Sequence, residues 1–227
     1  VGVSGAVTFN LTDADYSSGE TLPLTINQVT GASLSNTITF KPAVGITSSI
    51  SGISTTSIFK LNGADFIIID GSNNGTSSRN LTIQNNSTAT STAVIWVASL
   101  GTGAGAENNL IRNTTIIGGS RTATSTFGVF VGGTSISTTG TGAHNNNLSI
   151  TNNSIQKAYY GIYARGVATT GVNTGLTITS NSIGSEIADN YIGKYGLDIT
   201  QSDGALISGN TIFNFIGTAT NPTGMLI

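Results

Sequence analysis

Short runs that alternate apolar and polar residues recur along the second half of the chain. Five of them end in Asn or a close substitute: LTIQNN (81–86), NLIRNT (109–114), LSITNN (148–153), LTITSN (176–181) and ALISGN (205–210). Their last positions are 28, 39, 28 and 29 residues apart. Alternation of this kind is typical of strands with one buried face. The pattern therefore predicts a repeat of short strands with a period near 28 residues.

A second alternating unit follows each of the later runs and begins with Gly. Its copies are GVFV (128–131), GIYA (161–164), GLDI (196–199) and GMLI (224–227), and an earlier copy, VIWV (94–97), lacks the Gly. Gly, Asn, Ser and Thr, which favour turns, fill the intervening segments. No stretch combines a helical period with a capping signal. The chain is therefore predicted to be all-β.

The repeat length separates the all-β architectures. A sandwich needs no repeat, and a propeller blade needs four strands in roughly 40–45 residues. The period favours a right-handed parallel β-helix, a solenoid of about eight coils and about 40 Å in length at ~4.8 Å per coil. We expect one domain over 1–227, with a cap and irregular first coils in 1–60 and regular coils in 61–227.

The recurrent Asn residues are expected to stack, because a solenoid places equivalent residues directly above one another. Asn side chains can hydrogen-bond along such a column, and Asn tolerates the left-handed backbone of a sharp corner. The alternative is simple enrichment of Asn in loops. The predicted Asn ladder comprises Asn86, Asn153, Asn181 and Asn210, with Thr114 as the odd member, beside a column of Asn85, Asn113, Asn152, Ser180 and Gly209.

The composition agrees with this fold and excludes several kinds of function. Only 8% of the residues are charged, the net charge is −2, and the chain has 30 Gly, one His and no Cys. Stacked like charges would repel, which explains the scarcity of charge. Nucleic-acid binding lacks its basic surface, and cysteine or multi-histidine metal sites lack their ligands. No apolar run approaches the ~20 residues of a membrane span.

The two ends of the sequence suggest a piece of a longer chain. The sequence begins at Val1 without Met or a signal-peptide pattern. The last residues, TGMLI (223–227), resemble the opening of another coil. Because an open solenoid end exposes core and strand edges, we expect that further coils of the same chain, or another copy, cover it.

Two resemblances to known families follow from these motifs. Residues 109–214 resemble the Asn-rich coils of right-handed parallel β-helix proteins of the pectate-lyase-like superfold. The segments FKLNGADFIIIDGSNNGTSSRNLTIQN and KAYYGIYARG are similar to long secreted bacterial surface proteins of the kind exported by the type IX route. The resemblance implies an extracellular location, often without catalysis.

Since the superfold includes polysaccharide lyases and hydrolases, enzymatic residues must be sought in the sequence itself. Glycoside hydrolysis uses two carboxylates, but no two acidic residues here are adjacent, and the polygalacturonase signatures are missing. We therefore predict no catalytic residue and no cofactor. The best acidic candidate for a surface site is Asp198, with Asp189, Asp203 and Arg165 near it. The alternative is that these residues form an ordinary solvated surface pair. Calcium would suit Asp13 and Asp15 or the Asp198 region, but no dense calcium loop is present.

An aromatic column is the candidate ligand-binding feature. If alternate residues of the Gly-led strand point outward, Trp96, Phe130 and Tyr163 form a strip that Tyr160 widens. Sugar rings or partner proteins could stack on such a strip. The alternative is that insertions at 132–146 and 166–175 cover these residues as local core.

The sequence thus predicts a non-catalytic structural or adhesive segment of a surface protein, located outside a bacterial cell. The expected partners are copies of itself, further coils of the same chain, or surface glycans, and neither nucleic acid nor membrane insertion is expected. The alternative function is a β-helix that binds or degrades polysaccharide.

Overall fold

In a computed structural model, the described residues, 2–216 and 221–227, form short strands and one 3-10 turn, Ala188–Asn190. Most strands belong to three parallel seven-stranded sheets, named A, B and C. Sheet A contains β1 Val7–Leu11, β4 Ile38–Pro42, β7 Ile67–Asp70, β10 Leu110–Arg112, β13 Ser149–Thr151, β17 Thr177–Thr179 and β21 Leu206–Ser208. Sheet B contains β2 Asp15–Tyr16, β5 Ser48–Gly52, β8 Leu81–Asn85, β11 Thr114–Ile117, β14 Ser154–Gln156, β18 Ser182–Ile183 and β22 Thr211–Ile212.

Sheet C completes each coil. It contains β3 Leu24–Asn27, β6 Phe59–Asn62, β9 Thr92–Ala98, β12 Thr126–Gly132, β15 Tyr160–Arg165, β19 Tyr195–Thr200 and β23 Thr223–Leu226. A small parallel sheet joins β16 Asn173–Thr174 to β20 Ser202–Asp203. The chain runs through A, B and C in turn and stacks each coil on the previous one. This confirms the predicted parallel β-helix, while its handedness stays a prediction.

The number of coils is slightly lower than predicted. Each main sheet holds seven strands, and therefore six steps from coil to coil, rather than about eight coils. The reason is that coils with insertions consume more residues than the shortest repeat. Thr115 pairs with Ser154, 39 residues later, whereas Ser154 pairs with Ser182, 28 residues later.

Columns of isoleucine fill the interior of the solenoid. In the register of sheet A, the column is Ile69, Ile111, Ile150, Ile178 and Ile207. In that of sheet B, it is Ile50, Ile83, Ile116, Ile155, Ile183 and Ile212. Those in the middle coils are fully buried. Because each inward side chain packs on its equivalents above and below, the apolar core is continuous along the axis.

Asparagine side chains connect the coils at the corner between sheets A and B. Asn181 Oδ1 accepts hydrogen bonds from the backbone N (2.9 Å) and Nδ2 (3.0 Å) of Asn153, and Asn181 Nδ2 donates to the Ile150 carbonyl at 2.8 Å. Asn210 receives the same two bonds from Asn181, and Asn153 Oδ1 receives one from the Thr114 N–H. We call this column, Thr114, Asn153, Asn181 and Asn210, the Asn ladder. It satisfies buried backbone groups that the turn leaves without strand partners.

Asn86 does not belong to the Asn ladder, which corrects the sequence prediction. The strand LTIQN (81–85) lies in sheet B, where Leu81 pairs with Thr114. Asn86 is therefore one sheet away from the corner of Asn153 and is exposed. Its neighbour Asn85 is buried at the other end of sheet B, where Nδ2 donates to the carbonyls of Ser54 and Ala93. The motif LTI recurs in both sheets, so similarity of sequence alone assigned it to the wrong column.

The neighbouring column supplies the left-handed backbone of the same corner. Asn113, Asn152, Ser180 and Gly209 have φ values of 56°, 53°, 57° and 64°. This confirms that Asn adopts the left-handed conformation at the corner. The residues that do so lie one position before the Asn ladder. Asn152 Nδ2 also donates to Asn113 Oδ1 at 2.8 Å, so this column is linked between coils as well.

A second asparagine column, which the sequence analysis missed, occupies the corner before sheet A. The N–H groups of Ala106 and Asn145 donate at 3.0 Å to Oδ1 of Asn145 and Asn173, respectively. Both Asn side chains are buried. The intervals 106→145→173 equal the intervals 114→153→181 of the Asn ladder. Equal spacing was therefore the signal that could have revealed it.

The glycine near the start of β12, β15 and β19, which is Gly128, Gly161 and Gly196, is required by close packing. A Cβ added to Gly161 would lie 2.6 Å from Ile183 Cγ2 in sheet B and 2.5 Å from the Gly196 carbonyl oxygen. Gly128 and Gly196 are equally confined. The backbone at this position therefore lies close against the isoleucine column of sheet B, and the glycine has no partner in the register of sheet C.

Asn181→Leu is expected to lower the free energy of unfolding by about 3 kcal/mol, because it leaves the buried Asn153 N–H and Ile150 carbonyl of the preceding coil without partners. The matched control is Asn86→Leu, which alters an exposed asparagine and should change stability by less than about 0.5 kcal/mol. Urea unfolding of both variants checks this expectation. Equal losses of stability would contradict the role assigned to the Asn ladder.

Candidate functional site on the outer face of sheet C

Two rows of side chains cover the outer face of sheet C. The strand register gives the first row as Ala93, Phe127, Tyr160, Tyr195 and Thr223. It gives the second row as Lys60, Trp96, Phe130, Tyr163, Asp198 and Leu226. The second row contains the predicted column of Trp96, Phe130 and Tyr163 in the predicted order. Together with Ile136, most of the aromatic residues form a hydrophobic cluster separate from the interior core.

The predicted aromatic residues are buried, so they do not form an open strip. Trp96, Phe130, Tyr163 and Tyr160 are 5%, 0%, 2% and 8% exposed. The insertion 132–146 covers them: Trp96 Nε1 donates to the Gly133 carbonyl at 3.1 Å, and the Tyr163 hydroxyl donates to the Thr138 carbonyl at 2.8 Å. This geometry agrees with the alternative given above, in which an insertion covers these residues as local core.

Ring stacking links the coils across this face. Phe130 and Tyr163 are parallel within 2° with centroids 5.2 Å apart. In the first row, Tyr160 lies between Phe127 at 4.9 Å and Tyr195 at 4.8 Å. These distances follow the spacing of the strands. Burial raises the pKa of the Tyr160 and Tyr163 phenols, so both stay protonated at neutral pH.

The cover is less complete over the next coil, where Tyr195 and Asp198 are both half-buried. Asp198 pairs in register with Tyr163, and Arg165 pairs with Thr200, two positions further along the same strand pair. Arg165 Nη1 donates to the Thr138 carbonyl at 3.2 Å and is itself half-buried. We call Tyr195, Asp198 and Arg165 the outer patch. It places an aromatic ring, a carboxylate and a guanidinium on one face.

Burial raises the pKa of the Asp198 carboxyl, and the nearby Arg165 guanidinium partly opposes this effect. Neither of the two ion pairs formed by the described residues includes Asp198. The charged form of Asp198 therefore costs folding stability, a property common among residues of binding sites.

The other acidic candidates lie elsewhere. Asp189 forms an ion pair with Arg121 at 3.4 Å, and Asp203 pairs in register with Thr174 in the small sheet. His144 Nδ1 accepts a hydrogen bond from the Gly103 N–H at 3.0 Å, so it links two loops. Across residues 2–216 and 221–227, no three His, Asp or Glu side chains come close enough together to hold a metal ion.

Sequence reasoning missed Tyr195 as a member of the outer patch. Phe127, Tyr160 and Tyr195 each precede the glycine of the Gly-led strand. That shared position was the available signal, but alternation along the strand predicts that the residue before Gly points inward. The register omits this glycine, so the alternation is interrupted there and the residue before it lies on the outer face.

Comparisons with protein-family models, with curated proteins and with solved structures found no match for this chain. The described part of the chain also has no helix of the length and hydropathy that a membrane span requires.

Asp198→Asn is expected to raise the melting temperature at pH 7. The folded-state pKa of Asp198 lies above its ordinary value of 3.8. The protonated carboxyl therefore stabilises the fold fully below pH 3.8, and this stabilisation is lost as the pH rises through the folded-state pKa. Replacing the carboxylate removes this loss. The gain over the unchanged chain should therefore shrink as the pH is lowered toward 3.8.

Calorimetry over a pH series measures this gain. Asp203→Asn, which removes an exposed carboxylate outside the outer patch, is the matched control, with an expected effect within about 0.5 kcal/mol. A gain for Asp198→Asn that is constant with pH would contradict the assigned cause.

Proposed function

We propose that this chain is a non-catalytic structural or adhesive segment of an extracellular bacterial surface protein, in which it serves as a stiff rod. The observation that carries the proposal is the continuous connection between coils. Three parallel sheets, the isoleucine columns and the Asn ladder all cross from each coil to the next. A body built this way resists bending and local opening, because separating two coils breaks many interactions together.

The sequence resemblances support the finer part of the proposal. The segments 59–85 and 157–166 are similar to long surface proteins of the type IX-exported kind, and the Asn-rich coils resemble the pectate-lyase-like superfold. An extracellular rod also suits a chain with no cysteine and few charged residues.

Apolar side chains on the last coil support stacking at that end. Met225, in register with the buried Leu197, is 49% exposed, and with Ile207 and Ile212 it lines a cavity of about 200 Å³ at the end of the core. At the opposite end, a cavity of about 350 Å³ is lined by apolar residues that include Phe9 and Phe40. Either further coils of the same polypeptide or a second copy would cover these surfaces.

The test is the location and integrity of the protein on intact cells of its source. We expect antibodies against the folded chain to label the cell surface, and external protease to leave the coils intact while it cleaves less regular surface proteins. Recovery of the protein only from inside the cells would overturn the proposal. Release of soluble sugars from purified polysaccharides by the purified chain would also overturn its non-catalytic part.

A second candidate function, binding of a neutral sugar, is favoured by the outer patch. The Tyr195 ring could take the apolar face of a sugar, while Asp198 accepts and Arg165 donates hydrogen bonds to its hydroxyls. The half-buried Lys194 places its ammonium 4.9 Å from the Tyr195 ring centre, so a sugar that stacks on this ring must displace it. The patch holds one carboxylate, whereas glycoside hydrolysis generally uses two, so binding is favoured over cleavage.

Titration with cellohexaose and chitohexaose, followed by NMR, tests this second function. We expect binding in the millimolar range that Asp198→Asn weakens by about tenfold, because a charge-assisted hydrogen bond is lost. Asp189→Asn, on another part of the surface, should bind as the unchanged chain does. Absence of binding, or equal binding by both variants, would remove the sugar site and leave the rod proposal intact.

A further inference from the structure

The loop between β7 and β8 surrounds one side-chain oxygen with donors. Asn74 Oδ1 accepts hydrogen bonds from Ser72 Oγ (3.0 Å), the Thr76 N–H (3.0 Å), Thr76 Oγ1 (2.6 Å) and Ser78 Oγ (3.0 Å). An amide oxygen has two lone pairs; a carboxylate or oxyanion oxygen carries more negative charge and forms stronger hydrogen bonds. Four donors on one oxygen are therefore better matched to a negatively charged oxygen than to a neutral amide.

Asn74 is followed by Gly75, and this pair differs from the other Asn–Gly pair of the chain, Asn62–Gly63. The Gly75 N–H has no hydrogen-bond partner among the described residues, and a Cβ placed on Gly75 would meet no atom within 4 Å. The Gly63 N–H, in contrast, donates to the Ala98 carbonyl at 2.8 Å. Asn74 and Gly75 are both exposed, whereas Gly63 is buried.

We propose that Asn74 is a site of intramolecular deamidation, with the Gly75 backbone nitrogen as nucleophile and the hydroxyls of Ser72, Thr76 and Ser78 as stabilising donors. The Gly75 nitrogen loses its proton and attacks Asn74 Cγ, and the C–N bond to the side-chain amide breaks with release of ammonia. The product is a cyclic succinimide. Water then opens the ring to give either aspartate or isoaspartate. The overall reaction consumes one water and releases one ammonia, and it needs no oxidant or reductant.

The four donors act at the stage where charge develops. Attack on Cγ places negative charge on Oδ1, and donors already in position stabilise such an oxyanion without further reorganisation. The nucleophile belongs to the residue that directly follows Asn74, so the attack is intramolecular. After hydrolysis to aspartate, the same donors would bind a carboxylate oxygen, which forms stronger hydrogen bonds than the amide did.

The location gives the reaction a structural readout. The loop packs over the next two coils, since Asn113 Nδ2 donates to the Thr76 carbonyl at 3.3 Å and Arg79 Nη2 donates to Asn152 Oδ1 at 2.9 Å. Aspartate would add one negative charge beside this anchored loop. Isoaspartate would also lengthen the backbone by one carbon and shift the residues that follow.

Peptide mapping by mass spectrometry during incubation of the full chain near neutral pH tests the proposal. Trypsin should release one peptide, 61–79, that contains both Asn–Gly pairs, so each molecule carries its own control. In the folded chain we expect the one-dalton mass increase at Asn74 at least about tenfold faster than at Asn62, and similar rates at both sites in strong denaturant.

A double substitution, Thr76→Val with Ser78→Ala, distinguishes the effect of the hydroxyl donors on the deamidation rate from the effect of exposure alone. Both residues lie in a surface loop, and Thr139→Val, in another loop, is the matched control. We expect the double variant to slow conversion at Asn74 about tenfold in the folded chain and to leave its rate in denaturant unchanged. A folded chain that leaves Asn74 unmodified, or a double variant that reacts as fast as the control, would overturn the proposal.

Discussion

The register between consecutive coils is the constraint on which the rest of the structure depends. Once each strand pairs in parallel with its equivalent in the next coil, every side chain must be compatible with the same position above and below it. Isoleucine satisfies this condition in the interior, Asn satisfies it at the corners, and aromatic rings satisfy it on the outer face of sheet C. Charge satisfies it poorly, which accounts for the unusual composition.

The corners show how the same constraint is met by backbone and side chain together. A turn between two sheets leaves peptide groups that no strand can pair. The Asn181 side chain satisfies such groups on the preceding coil, the Asn153 N–H and the Ile150 carbonyl, while Ser180 beside it takes the left-handed conformation that bends the chain. The two roles fall on adjacent residues, and the pairs at this corner are Asn113-Thr114, Asn152-Asn153, Ser180-Asn181 and Gly209-Asn210. The second column, with Asn145 and Asn173, repeats the acceptance of a backbone N–H from the preceding coil at another corner.

Much of this could be predicted from the sequence, because the repeat is itself the record of the stacking. The 28- and 29-residue intervals identified the solenoid, the positions of Asn153, Asn181 and Asn210, and the order of Trp96, Phe130 and Tyr163. What failed was the assignment of Asn86, since LTI-type strands occur in two sheets and only pairing distinguishes them. Exposure of the aromatic column was not decidable either, because it depends on how the insertion 132–146 folds back. The outward position of Tyr195 depends on an interruption at the glycine that simple alternation does not describe.

The chain's single tryptophan lies at the junction between this covering insertion and the solenoid. Trp96 Nε1 is bonded to Gly133 of the insertion, and the Lys60 ammonium lies 4.1 Å from the centre of its ring on the preceding coil. Its indole is therefore enclosed by two elements that would have to separate if the insertion lifted away. Intrinsic fluorescence from this one chromophore would report the seating of the insertion directly, without an added label and without background from another indole.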